Sequence, residues 1–276
     1  MAIKKITNNL KIKEMSQAWG VFEVDEEHVY YWKIGDCCLW IKKEGKEVFI
    51  ASFYAAQNGK LNSSVIPESA SWTRYILKKK VTSIELSPVF PDRSIVVKPE
   101  VPFYLTENTG RNVYIRVPVF ISVHALANSK LHLCELPSVV LSKTWYGDLK
   151  RGELCYWLSS SAKPQIEPDI ERPYMSICSL RLVNKSKENL LIAKLAVRVL
   201  NSSLFMHESQ LWSDLITITF SGENEISELI FSGKPNNTLK GSTKICDPRQ
   251  KQRKNVLIQS FESATDIRAY EIFVKK

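Results

Sequence analysis

Four histidines and six cysteines are the side chains of this chain best suited to hold a metal or act as nucleophiles, and their spacing argues against both roles. His132 and Cys134 stand two apart, which places them on one face of a strand, with His124 eight residues earlier. A tetrahedral zinc site needs a fourth ligand and outer partners that orient the first ones, and nothing nearby supplies them. Cys37 and Cys38 are neighbours and point to opposite faces, while Cys155 and Cys178 sit in alternating apolar segments as small hydrophobes. His207-Glu208 begins like a zincin helix but has Leu211 where the second histidine belongs. There is no phosphate-binding loop, dinucleotide glycine pattern or nucleophile elbow. A Ser–His–Asp triad assembled from distant residues stays open, though nothing favours one. No metal and no cofactor is expected.

The second chemistry-bearing pattern is charge. The formal net charge is +9, and it is concentrated at the two ends. Residues 1–13 carry four lysines and no acid, and residues 234–276 carry ten basic and four acidic side chains, leaving residues 14–233 at −1. After Asp247-Pro248 the residues Arg249, Lys251, Arg253 and Lys254 form a tight cluster, the candidate contacts for a phosphate backbone or another anion. A solvated tail explains the same composition. Lys78, Lys79 and Lys80 read as the exposed side of a turn or strand end.

The third pattern is aromatic. Trp145 and Tyr146 precede Gly147, and Tyr156 and Trp157 follow Gly152, so two short strands form a hairpin around the loop 148–151. Cross-strand packing accounts for the four rings at about 0.2–1 kcal/mol per pair. An aromatic platform for a sugar or a peptide is the functional reading, and strand alternation allows at most two of the four to share a face.

Strands must position these residues. From Arg111 to Ala125 every odd position from Val113 to Val123 is β-branched, a strict period of two that predicts a strand with one face in a core, at an edge or bent where Pro118 interrupts it. Trp19–Val24, His28–Ile34, Cys37–Lys42 and Glu47–Tyr54 read as a four-stranded meander with turns at Gly35-Asp36 and Glu44-Gly45. Ser94–Lys98, Val139–Tyr146, Glu153–Ser159, Tyr174–Asn184, Leu190–Leu200, Leu215–Phe220 and Ile226–Phe231 also read as extended. Ser260–Val274 is undecided between helix and strand, and Pro164–Pro173 is a proline-punctuated surface loop. The fold class expected is all-β: an antiparallel β-sandwich, partly immunoglobulin-like, with an N-terminal β-meander. The organisation expected is a basic segment 1–18, a body 19–233 (with 19–66 as the meander and 67–233 as the sandwich if it divides), and a basic extension 234–276.

Composition fits a packed globular chain: 44% hydrophobic, 24% charged. No apolar run approaches the roughly 18 residues of a membrane helix, and the first residues lead into no signal-peptide core. A cytoplasmic protein with free thiols is the expectation.

The order of segments is itself informative. WKIGDCCLWIKKEGKEVFIA, SPVFPDRSIVVKPEVPFYL, NVYIRVPVFISVHA, KTWYGDLKRGELCYWLSS and SLRLVNKSKENLLIAKLAVRV follow one another. In this the chain resembles the uncharacterised prokaryotic domain-of-unknown-function family 432, from about Trp19 to Gly233, with Lys143–Trp157 the most specific stretch. The resemblance supplies no catalytic residue. Where it implies an arginine after the cysteine, this chain has Tyr156. The expected function is a non-enzymatic interaction or ligand-binding module whose partner is a protein or small ligand. Two other readings stand beside it: nucleic-acid or anionic-surface binding through the basic ends, and a hydrolase or carbohydrate-active enzyme whose residues meet only in the fold.

Overall fold

A computed structural model describes residues 11–54, 65–99, 101–147, 152–159, 162–169, 171–222, 227–251, 256–258 and 261–262. The described chain is all-β: it holds twenty-three strands, and its one described helical turn is a 3₁₀ turn at Val199–Asn201. No helix among the described residues is long and apolar enough to cross a membrane. Two compact units divide the chain, residues 1–89 with 119–140 and residues 90–118 with 141–276.

The first unit opens with β1 (Lys11–Glu14), β2 (Gly20–Glu23), β3 (His28–Ile34), β4 (Cys37–Glu44), β5 (Glu47–Tyr54), β6 (Trp72–Ile76) and β7 (Ser83–Val89). The chain then contributes β8 (Ile95–Lys98), β9 (Phe103–Leu105) and β10 (Thr109–Pro118) to the second unit, and returns to the first for β11 (Phe120–Leu126) and β12 (Lys130–Pro137). The remainder lies in the second unit: β13 (Ser142–Tyr146), β14 (Glu153–Ser159), β15 (Met175–Asn184), β16 (Leu190–Ile192), β17 (Lys194–Val197), β18 (Leu204–His207), β19 (Gln210–Phe220), β20 (Ser227–Phe231), β21 (Thr243–Cys246), β22 (Val256–Ile258) and β23 (Phe261–Glu262).

In the first unit one sheet has the order β1-β3-β4-β5-β6 and the other β12-β11-β7-β2. Two-residue turns join β3 to β4 and β4 to β5. Gly35 and Gly45 occupy their first central positions with φ of +63° and +58°, a conformation that a side chain would strain. The meander is therefore β3-β4-β5-β6. The expected first member, β2, pairs instead with β7 in the second sheet, and its Phe22 meets Trp32 of β3 edge-on with ring centroids 5.2 Å apart. Strands β3 to β5 are buried on both faces. Val29, Tyr31, Cys38, Trp40, Ala51 and Phe53 form one cluster on one of those faces, covered in part by Ile66, Ala70 and Trp72.

In the second unit the larger sheet runs β10-β15-β19-β18-β21, with β20 on β19 and β22 on β20, and the smaller runs β13-β14-β8-β17-β23. Most ladders are antiparallel, but β1–β3, β14–β8 and β15–β19 are parallel. The segment after Gly233 supplies β21, β22 and β23 to these sheets. The long period-two segment proves to be two strands that break between Pro118 and Val119 and serve different units. Pro118, which lacks an N–H, ends the edge strand β10. Val119 lies between strands, its carbonyl accepting the Ser138 amide at 3.3 Å and hydroxyl at 2.6 Å. All six odd-numbered side chains from Val113 to Val123 are buried. The stretch Leu190–Leu200 is neither one strand nor a helix, but β16, β17 and the start of the 3₁₀ turn. Residues 263–276, most of the undecided terminal stretch, lie outside the described residues.

Candidate functional site

The hairpin β13–β14 sits at an edge of its sheet, with Trp145 opposite Leu154 and Tyr146 opposite Glu153. Alternation sends Tyr146 and Trp157 to one face, where they pack with Val96, Cys155 and Ala196. Trp145 and Tyr156 take the other face. There Trp145 and Leu154 make a cross-strand apolar pair that is 48% and 42% exposed. The loop 148–151 lies outside the described residues.

A polar cluster stands beside the hairpin, built by the short loop that leads into β8. The Tyr156 hydroxyl donates to Asp92 Oδ1 at 2.9 Å, and the Arg93 guanidinium lies 5.9 Å from the centre of the Tyr156 ring, within cation–π range. Burial, then the bond to Asp92, pushes the Tyr156 hydroxyl up, so it remains a donor. Ser94 Oγ donates to Glu153 Oε1 at 3.1 Å, and Arg198 Nη2 donates to Glu153 Oε2 at 3.0 Å. The Tyr156 amide donates to the Ser94 carbonyl at 2.9 Å and ties the loop to the strand. Cys155 is buried beside them. Burial and the Glu153 charge push its thiol up to about 12, so it is a protonated core residue and no nucleophile at neutral pH. Both carboxylates of the cluster are engaged, Glu153 by a hydroxyl and a guanidinium and Asp92 by a phenol.

The basic cluster is divided by the fold. Arg249 Nε donates to the Phe90 carbonyl at 2.5 Å, next to the loop carrying Asp92 and Arg93. The neighbouring Gln250 amide donates to the Leu200 carbonyl, and Asn201 Nδ2 donates to the Gln250 carbonyl. Arg249 is thus a structural strap as well as a cation. Lys251 is exposed, and Arg253 and Lys254 lie outside the described residues.

The histidine–cysteine pattern is rearranged. A β-bulge on β12 shifts the register, so that Val123 opposes Cys134 while His124 opposes His132, leaving Leu133 as the extra residue. His132 and Cys134 therefore do not share a face, contrary to the regular alternation expected of them. Cys134 points with the buried Val123, near Tyr75 and Cys37, and His132 points with His124. All six cysteines are free thiols. Burial pushes Cys37 up to about 12, and Cys178 rises for the same reason. Among the described residues no group of three or more His, Cys, Asp or Glu side chains is arranged to hold a metal ion.

The sequence pattern does not reveal Asp92, Arg93, Ser94, Glu153 and Arg198 as a group, because they are 45 to 64 residues apart along the chain in their pairings. The one local signal is the charged pair Asp92-Arg93 wedged between two strands in the SPVFPDRSIVV stretch. A family model described as a protein of unknown function (DUF432) matches residues 18–266 of the chain. The match continues past Gly233 and through β21, β22 and β23. No curated protein and no solved structure matches the chain.

Proposed function

The chain belongs to the family of proteins of unknown function called DUF432, and we propose that it acts as a non-enzymatic module that binds a small ligand or a protein segment at the β13–β14 hairpin. The observation that carries this reading is the exposed Trp145–Leu154 pair on an edge strand, flanked by Tyr156, which Asp92 and Arg93 hold in place. An exposed aromatic beside polar side chains held in place is the composition of a binding patch, with apolar area for affinity.

The test compares wild type with W145A/L154S as bait on arrays of oligosaccharides and of peptides. Both substituted positions are half exposed, so the fold should survive, checked by an unchanged far-ultraviolet spectrum and melting temperature. Wild type should retain a defined ligand class that the double variant loses by at least tenfold. Equal retention by the two proteins, or none by wild type, overturns the proposal. A second reading, nucleic-acid or anionic-surface binding through the basic ends, draws on the net charge of +6 over residues 234–276.

A further inference from the structure

The outer face of β7, β11 and β12 carries chemistry that the hairpin does not use. Because Leu133 is bulged out, His132 of β12 lies directly across from His124 of β11, with ring centroids 5.3 Å apart and planes at 68°. Glu85 of β7 opposes His124 from the other side. Glu135 joins the same face, its Oε1 3.8 Å from His132 Nε2. Lys130 Nζ is bound to Glu85 Oε1 at 2.8 Å. Among the described residues His124 Nδ1 is buried and has no hydrogen-bond partner, which leaves a polar atom unsatisfied.

We propose that His124 and His132 together chelate a borderline divalent metal ion of the zinc or nickel class, with water completing the coordination. Directly opposed cross-strand residues hold their Cβ atoms about 5 Å apart. That separation lets two imidazole nitrogens meet one ion at about 2.0–2.1 Å each. The site is an open two-imidazole chelate and not a closed cage of three or four protein ligands, in keeping with the arrangement of the other His, Cys, Asp and Glu groups. Metal binding needs unprotonated imidazole. Glu85, Glu135 and Lys130 together give the face a formal charge of −1, which favours a cation. Glu135 Oε1 stands 3.8 Å from His132 Nε2, close enough to orient the ring after a small movement of either side chain. β11 is an interior strand of its sheet, which makes the base of the site rigid, while His132 on the edge strand β12 is free to turn toward an ion.

The experiment is calorimetric titration of the full-length chain with Zn²⁺ alone and with Ni²⁺ alone at pH 7.5 and pH 5.5. Wild type should take one ion at this site at pH 7.5 and bind at least tenfold more weakly at pH 5.5. H132Q, at a half-exposed edge position that should not disturb folding, should reduce affinity at least tenfold at pH 7.5, as should H124Q. C134S should bind as wild type. No binding by wild type at millimolar ion, undiminished binding by H132Q, or loss confined to C134S would each overturn the proposal.

Discussion

Asp214 offers the most demanding test of how the second unit is held together. It lies in β19 with almost no solvent exposure. Its carboxylate accepts hydrogen bonds from the Ser202 hydroxyl and, at 2.9 Å, from the Gly233 amide, and its own amide donates to the Ser203 carbonyl at 3.3 Å. One side chain thereby joins the turn before β18, the middle of β19 and the end of β20. In Asp214→Ala the buried Ser202 hydroxyl loses its acceptor, at a cost of about 1–3 kcal/mol. The Gly233 amide lies on an exposed turn, so its loss is the smaller one, about 0.5–1.5 kcal/mol. Removing a desolvated charge offsets part of this, giving a net loss of about 2–3 kcal/mol. Asp214→Asn can turn its oxygen to Gly233 and its NH₂ to Ser202 Oγ, so it should lose less than about 1 kcal/mol. Burial raises the Asp214 pKa despite the bonds from Ser202, Gly233 and Ser203. The folded state therefore binds the proton more tightly than the unfolded chain, whose carboxyl titrates near 3.8. Wild type should lose stability relative to Asp214→Asn as pH rises from about 4 through the folded pKa. Urea unfolding followed by tryptophan fluorescence measures all three proteins, with Trp212 two residues away as a nearby reporter. A cost below about 1 kcal/mol for Asp214→Ala, an Asn variant as damaging as Ala, or a wild-type advantage over Asn that grows with pH would refute this role of Asp214.

Three further outcomes are expected. Val117→Ala and Val119→Ala should each cost about 1–3 kcal/mol, since both side chains are fully buried; Arg116→Ala, which removes a guanidinium bonded to the Glu167 carbonyl at the surface, should cost less, and equal costs in urea unfolding would contradict the face assignment. Burial opposes the Asp25 charge, but bonds from His28, the Glu27 and His28 amides and Tyr30 lower its pKa to about 2. Asp25→Ala should therefore remove about 1 kcal/mol at pH 7, after discount for its exposure, and thermal melts of the two proteins should converge as pH falls from about 4 to 2. Reversing Lys251, Arg253 and Lys254 with Arg249 kept should make the slope of log affinity for an oligonucleotide against log salt shallower by up to about three units; an unchanged slope removes the cluster from any nucleic-acid role. Arg249→Glu belongs in a stability assay, because its side chain also straps Phe90.

By itself the sequence determined the local conformation. Alternating β-branched residues from Val113 to Val123 can bury one face only as strand, and all six odd positions are buried. Glycine before Asp36 and before Lys46 selects two-residue turns, and the turns are there. Alternation also requires that Trp145 and Tyr146, or Tyr156 and Trp157, face opposite ways. Tertiary structure decided everything that depends on partners distant along the chain. A continuous period-two pattern cannot show that Pro118–Val119 divides it between two units, because each half satisfies the same alternation against a different sheet. The strand β2 reads like the start of a meander, yet it pairs with β7, sixty-odd residues on, since any half-apolar strand can complete either sheet. A bulge leaves no mark on a sequence whose period is two on either side of it, so the opposition of His124 and His132 and the turning away of Cys134 could not be read from spacing. The cluster of Asp92, Arg93, Glu153 and Arg198 is of the same kind: charges from three segments that only folding brings within 3 to 4 Å of their partners.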